Sequence, residues 1–404
     1  MVFYLIALAS VFCFVGRCLG WCAHPSLARS WLWLRRRVDR ALLGVSLAPS
    51  SSFVANQDPT LATCLQTKGK MTYADAGVSR ERADEVVNAI RIMTRDTHTP
   101  AVTLAEFGGI FEFEKGKRAL IASTDGVGTK TRFLMERMSS PEEACNVLGR
   151  DIVHNNINDI LVHGGRPLFF LDYVAAGRLH ALSLSTLVAA MANACKHHGC
   201  VILGGETAEM PSVFPNPLDM EIVGFVVGEV PPSGPLDGST VRAGDVVYGL
   251  PSSGPHTNGY SLLAKLYPAG DPALDSFPQL FAPHLSYFHD VYPLLSNETT
   301  RSLIHGLVHV TGGGWDENTR RILKTSGRGV VWDEFEFDTL YKDIQKRSGL
   351  DRNEMLDTFN CGYGMLVICD PAFVPPSSVL PSSVLPSSVL SPSVQPWARV
   401  GVIE

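Results

Sequence analysis

The chain has 404 residues, 45% hydrophobic and 18% charged, with a formal net charge of −6, a globular composition that is neither disordered nor fibrous. The charge is uneven: residues 1–70 carry eight Lys and Arg against Asp39 and Asp58, a surplus of +6, leaving 26 basic and 38 acidic residues, or −12, from Met71 onward. An acidic body of that length has room for two domains and argues against nonspecific nucleic-acid binding, which needs clustered Lys and Arg to neutralise phosphates.

Residues 1–70 read as an address. Val2 to Val15 (VFYLIALASVFCFV) is short for a membrane span and right for a signal-peptide core, with small residues at Cys18 and Gly20 placing a cut before Trp21. The following stretch is rich in Arg (Arg29, Arg35, Arg36, Arg37, Arg40) and Ser (Ser46, Ser50, Ser51, Ser52), a transit-peptide composition. Signal-like residues 1–20 before transit-like residues 21–70 resemble the bipartite presequence of a plastid enclosed in the endomembrane system. A mitochondrial or other organellar address, a secretory signal and an N-terminal anchor stay open. Four of nine Cys lie in this extension; the body keeps Cys145, Cys195, Cys200, Cys361 and Cys369, an odd number without C-x-x-C spacing, which indicates a reducing compartment and neither a cysteine zinc site nor a disulfide framework.

From Met71 the periodicity predicts a helix over Ser79–Thr94, a strand over Arg118–Thr124, and a long helix from Pro141 to His163. A strand at Pro167–Ala175, a helix at Ser183–His198 and strands at Cys200–Gly204 and Met220–Val230 follow. Pro231–Pro235 breaks the pattern and sets a boundary between domains 71–231 and 232–404, with a new strand opening at Gly244. Near the end, strand-like Gly364–Cys369 and Ala398–Ile403 flank PSSVL repeats within 375–396, where prolines five residues apart forbid a helix. The fold class is α/β with mixed sheets.

Six segments carry candidate chemistry. Asp125-Gly126-Val127-Gly128-Thr129-Lys130 follows a strand; its glycines let backbone approach a phosphate, Asp125 suits a divalent cation and Lys130 an anionic oxygen. It lacks the Walker A spacing. On the long helix, Asp151, Asn155, Asn158 and Asp159 fall on one arc, opposite Val153, Ile157, Ile160 and Leu161. Asn-rich helix is unfavourable by about 1–2 kcal/mol over those positions, so this polar face calls for metal or ligand contacts. Gly204-Gly205-Glu206-Thr207 ends a strand, and Ser252 to Ser261 (SSGPHTNGYS) brings His256 and Asn258 into a loop of small residues. Thr311-Gly312-Gly313-Gly314 precedes a helix-like stretch, Asp316–Leu323, whose free N–H groups suit an anion. Phe359-Asn360-Cys361-Gly362 is the sixth. Each alone also reads as a plain turn or, for the helix, a solvated face.

In this order and spacing, TDGVGTK, NDILVHGGRPLFFLDY, GGETAEMP, SSGPHTNGYSL, TGGG and TFNCG resemble the phosphoribosylformylglycinamidine cyclo-ligase family, also called AIR synthetase, from Tyr73 to about Pro371 and again over Ala398–Glu404. The resemblance implies a homodimer of two-domain α/β subunits whose N-terminal domains join strands across the dimer axis. It implies ATP-dependent ring closure of formylglycinamidine ribonucleotide, with ATP and Mg²⁺ as cofactors, no nucleic acid, and no membrane for the mature body. By motif, Asp125, Asp151 and Asp159 hold Mg²⁺, and Lys130 neutralises phosphate. His256 and Asn258 contact the reacting group, with His256 in acid/base work. Arg91, Gly126, Gly128, Thr129, Asn155, Asn158, Gly204, Gly205, Glu206, Thr207, Ser253, Gly254, Thr311, Gly312, Gly313 and Gly314 bind ATP or substrate. Three departures stand out. Arg91 replaces a common Lys, Ala282-Pro283-His284 lacks the usual Thr, and the repeats replace a helix. Other superfamily members, such as selenophosphate synthetases, and a noncatalytic nucleotide-binding homologue are the alternatives.

Overall fold

Ser140 caps the N-terminus of the longest helix, its hydroxyl accepting the Glu143 N–H at 3.2 Å, and Pro141 fills the first helical position, where no N–H partner is needed. This helix recurs throughout, so the elements are numbered around it. The computed structural model describes residues 70–72, 74–78, 80–114, 118–376 and 397–404. The targeting reading of residues 1–70 falls almost wholly, and that of the PSSVL repeats largely, outside them.

The first half contains α1 (Arg80–Thr94), β1 (Val102–Leu104), β2 (Gly109–Glu114), β3 (Arg118–Gly126), α2 (Thr129–Arg137) and α3 (Pro141–Leu161). It continues with β4 (Arg166–Ala176), α4 (Ala181–His197), β5 (Val201–Glu209) and β6 (Met220–Glu229). These strands form one sheet in the order β1-β2-β3-β6-β4-β5, antiparallel except for the β4/β5 pair joined by the α4 crossover. Helices α3 and α4 pack together, and α3 covers β3, β4 and β6. The opposite face leaves Phe111, Phe113, Tyr173, Val201, Leu203 and Phe225 exposed.

The second half holds β7 (Val246–Pro251), α5 (Tyr260–Leu266), α6 (Phe288–Ser296), α7 (Glu298–Arg301), β8 (Ile304–His309) and α8 (Gly314–Leu323). Then come β9 (Val330–Trp332), α9 (Thr339–Ser348), α10 (Arg352–Thr358), β10 (Tyr363–Cys369) and β11 (Ala398–Ile403). The sheet order is β8-β10-β7-β11-β9, all antiparallel. Every residue of the inner strand β10 is buried, and so is every residue of the edge strand β8, which α7 and α8 cover. Phe373 and Trp397, on either side of the repeats, bring their rings to 5.7 Å. The linker at Pro231–Pro235 is fastened to the end of α3, where the Leu236 N–H donates to the His163 carbonyl at 3.1 Å.

Two elements depart from expectation. Strand β5 does not stop at Gly204 but runs on through the GGETAE motif to Glu209, because pairing with β4 continues from Gly204 to Glu209. Helix α3 has no solvated face in its second half: every residue from Asp151 to Leu161 is buried. Its apolar side meets the sheet and its polar side meets loops of the second half.

Candidate active site

At the end of β3, the Asp125 carboxylate accepts the Asn155 amide of α3 and the Gly126 N–H, both at 2.7 Å. One helical turn along, Asp159 accepts the Ser123 hydroxyl at 3.1 Å and the His309 Nδ1–H at 2.8 Å. His309 Nε2 lies 3.1 Å from His284 Nε2. Thr257 closes the circuit, its Oγ1 standing 3.3 Å from His284 Nδ1 and donating to Asn155 Oδ1 at a looser 3.4 Å. A ring of polar contacts therefore joins β3, α3, the loop after β7, the segment before α6, and β8. The surrounding protein, and then the charge of Asp159, hold the carboxyl of the solvent-accessible Asp125 above its ordinary range. A cation between two such carboxylates reverses that shift.

The expectation that Lys130 and Asp151 serve phosphate and metal needs correction. Both side chains are fully enclosed and pair with each other at 2.8 Å. Lys130 also donates to the Ala282 carbonyl at 2.7 Å, and Asp151 accepts the His284 N–H at 2.6 Å. Burial pushes the Lys130 ammonium down and the Asp151 carboxyl up, while each charge holds the other. The pair clips α2 and α3 to the chain before α6. Accordingly Asp125, Asp151 and Asp159 do not converge: among the described residues, only His197, His198 and His289 bring three His, Cys, Asp or Glu ligand atoms within 4.8 Å of one another.

Asn158 is likewise occupied, donating to the Leu285 carbonyl at 2.8 Å and accepting the Tyr287 N–H at 3.0 Å. His256 is 1% exposed and stacks on His284 with ring centres 4.0 Å apart. Its Nε2 accepts the Ser253 N–H at 3.4 Å, and its Nδ1 has no hydrogen-bond partner. Burial and the neighbouring histidines and Lys130 push both His256 and His284 well below the usual imidazole range. His256 is thus a neutral imidazole behind its loop, and an acid/base role requires it to take a proton against burial. The loop itself needs glycine at Gly254, with φ of +152°, where a Cβ would lie 2.2 Å from the Gln279 carbonyl oxygen. Ser253 is held by the Pro283 carbonyl, leaving Thr257 and Asn258 as its partly open side chains.

Gly128, with φ of +66°, starts α2, which no side chain caps, so its first N–H groups face forward beside Gly126 and Thr129. The Thr129 hydroxyl reaches Ser261 Oγ at 2.9 Å. The Thr311–Gly314 turn likewise opens α8 without a side-chain cap, and Gly312 abuts Asn258. Gly204, Gly205, Glu206 and Thr207 lie on the exposed edge strand, where successive side chains point to opposite faces. Glu206 and Thr207 consequently do not line one cleft. Arg91 lies elsewhere, 3.5 Å from Glu106 in a basic cleft of about 770 Å³ shared with Arg320, Arg321, Lys324 and Arg328. That cleft is lined by none of Asp125, Asp159 or His256.

Sequence reasoning assigned no role to four organising residues. His284 and His309 complete the polar circuit. Asn318 holds the glycine turn by donating to the Gly314 carbonyl at 2.7 Å. Asn360 accepts from Tyr341 and donates to the Gly254 carbonyl at 2.9 Å. Asn360 sits within a flagged motif and His309 two residues before another; no local signal marks His284 as central.

These two sheets, with glycine-rich loops meeting at a carboxylate pair, define a two-domain α/β protein. Residues 106–230 and 242–372 match the family models for the N-terminal and C-terminal domains of AIR synthase related protein. The thiamine monophosphate kinase structure from Aquifex aeolicus shares the fold, with a TM-score of 0.51 at 16% identity, over 81% of this chain and 96% of that one. Much nearer in sequence are the phosphoribosylformylglycinamidine cyclo-ligases of Cupriavidus metallidurans, 38% identical over 74% of this chain and 86% of theirs, and of Xanthomonas oryzae pv. oryzae strain PXO99A, 39% identical over 75% and 90%. The chain belongs to the phosphoribosylformylglycinamidine cyclo-ligase family, ATP-using ligases of purine biosynthesis.

Proposed function

We propose that this chain closes the imidazole ring of formylglycinamidine ribonucleotide at the polar circuit around Asp125 and Asp159. The formamide oxygen is a poor leaving group, so it takes the γ-phosphoryl group of ATP; the amidine nitrogen attacks the formyl carbon and phosphate departs, giving aminoimidazole ribonucleotide, ADP and phosphate. Catalysis of this kind depends on positioning and charge neutralisation. The carrying observation is that Asp125, held by Asn155, and Asp159, held by Ser123 and His309, lie on one polar circuit beside the uncapped start of α2. Asp125 and Asp159 would hold Mg²⁺, which neutralises phosphate charge when bound. The N–H groups at Gly128 and Thr129 receive nucleotide phosphate, that at Gly313 the substrate phosphate, and Thr257 and Asn258 orient the reacting amide. His256 and His284 act as neutral dipoles. A noncatalytic homologue is not favoured, since the relatives at 38–39% identity are named as the ligase.

The test is incubation of the purified full-length protein with formylglycinamidine ribonucleotide, ATP and Mg²⁺. Stoichiometric aminoimidazole ribonucleotide and ADP are expected; ADP without ring product, or neither, defeats the reading. The apolar face of the first sheet supports a homodimer formed there, and Leu203→Glu should shift the sedimentation coefficient toward monomer. For the address, residues 1–70 fused to a fluorescent protein should collect in a plastid; cytoplasmic fluorescence refutes that assignment.

A further inference from the structure

A group of imidazoles lies apart from the carboxylate circuit, at the junction of α4 and α6. His197 ends α4, His198 follows it, and His289 is the second residue of α6. Their rings crowd: His198 and His289 stack at 4.9 Å, while His197 stands 4.5 Å from His289 and 5.0 Å from His198. One ligand atom from each falls within 4.8 Å of the others.

His198 carries the argument. It is only 5% exposed, and neither ring nitrogen has a hydrogen-bond partner. Stacking alone does not account for an imidazole here: phenylalanine would stack equally well against Phe288 and His289 without burying unsatisfied polar atoms. The His289 Nε2–H donates to the His197 carbonyl at 3.0 Å, which leaves the ring lone pair on Nδ1 and orients the ring by an outer contact.

We propose that His197, His198 and His289 bind one divalent transition-metal ion of the zinc type. Three neutral nitrogens with no oxygen donor select a borderline ion over Mg²⁺ or Ca²⁺. Tetrahedral ligation at about 2.0–2.1 Å sets donor atoms about 3.3 Å apart, a closure that the exposed side chains of His197 and His289 can make from the present spacing. Their exposure also provides the entry path and leaves the fourth position to water. Bound metal would clamp α4 of the first half to α6 of the second, and the clamp reaches the circuit through His154, which lies 5.3 Å from His198 and contacts the His284 carbonyl at 2.6 Å.

The experiment is calorimetric titration of chelator-treated full-length protein with ZnCl₂, alongside Co²⁺ absorption spectra. Cys13, Cys18, Cys22 and Cys64 of the extension also attract zinc, so each variant is compared with wild type in the same chain, and thiolate charge-transfer bands identify that population. The expected result is one zinc equivalent that His198→Phe and His289→Gln each weaken by more than about a hundredfold, with loss of the tetrahedral Co²⁺ bands and an unchanged circular-dichroism spectrum. Because His289 is exposed, His289→Gln keeps the test sound should His198→Phe misfold. Equal zinc affinity in wild type and His289→Gln, or Co²⁺ spectra of thiolate character alone, overturns the proposal.

Discussion

Asp151 and Asp159 lie eight residues apart on the same helix and on the same polar arc, yet the fold gives them opposite work. Asp151 is enclosed against Lys130 and the His284 N–H, with no open side. Asp159 shares its carboxylate between Ser123 and His309 while its charge bears on the partly open Asp125. A carboxylate whose countercharge is built into the protein holds structure. One held only by a hydroxyl and an imidazole, beside a second carboxylate, has no built-in cation and suits one from outside.

Breaking the closed side should have the largest effect. Lys130→Met strands the Asp151 charge in the interior, and loss of about 3–5 kcal/mol of folding free energy is expected in chemical denaturation. The double variant Lys130→Met with Asp151→Leu should recover most of it. If Lys130→Met keeps its stability but stops turning over, Lys130 serves a ligand after all. On the open side, Asp125→Asn should slow ring closure at least about a hundredfold while the melting temperature holds; steady-state kinetics with unchanged turnover would remove Asp125 from the site.

The buried histidines sharpen the contrast by pH. His256 and His284 have folded pKa values depressed well below 6.5. The unfolded chain therefore binds their protons first as pH falls. Their stabilisation is complete above about pH 6.5 and is lost progressively below it, with a slope of up to about 1.4 kcal/mol per pH unit for each group. Denaturation curves between pH 7 and 5 should show this slope, and His256→Asn should flatten it; an identical slope in that variant would mean that His256 is protonated in the folded state. The smallest effect belongs to Arg91, whose exposed pairing with Glu106 is worth less than about 1 kcal/mol. Arg91→Ala should leave stability nearly unchanged, so a raised KM for ATP would place the basic cleft in nucleotide binding.

Much of the fold was legible. The start at Pro141 and the alternation of apolar strands with helices are local signals, and the helix at Pro141–Leu161 and strands such as Met220–Glu229 follow them closely. The misjudged pieces share a cause. GGETAE reads as a glycine turn until β4 supplies a pairing partner, and the polar arc of α3 reads as open to ligand until loops more than 120 residues away cover Asp151 and Asn158.

The same division applies to function. Six short motifs in order were enough to establish the family, because such motifs mark where glycine permits close approach and where carboxylates and amides cluster. Which groups remain free for substrate was decided by tertiary structure alone. Lys130 takes its partners from Asp151 and Ala282, Asp159 from Ser123 and His309, and His197 and His198 gain His289 across 92 residues of chain. Periodicity reports which face a side chain occupies within its own element, while its charge state and availability depend on what folding brings against that face.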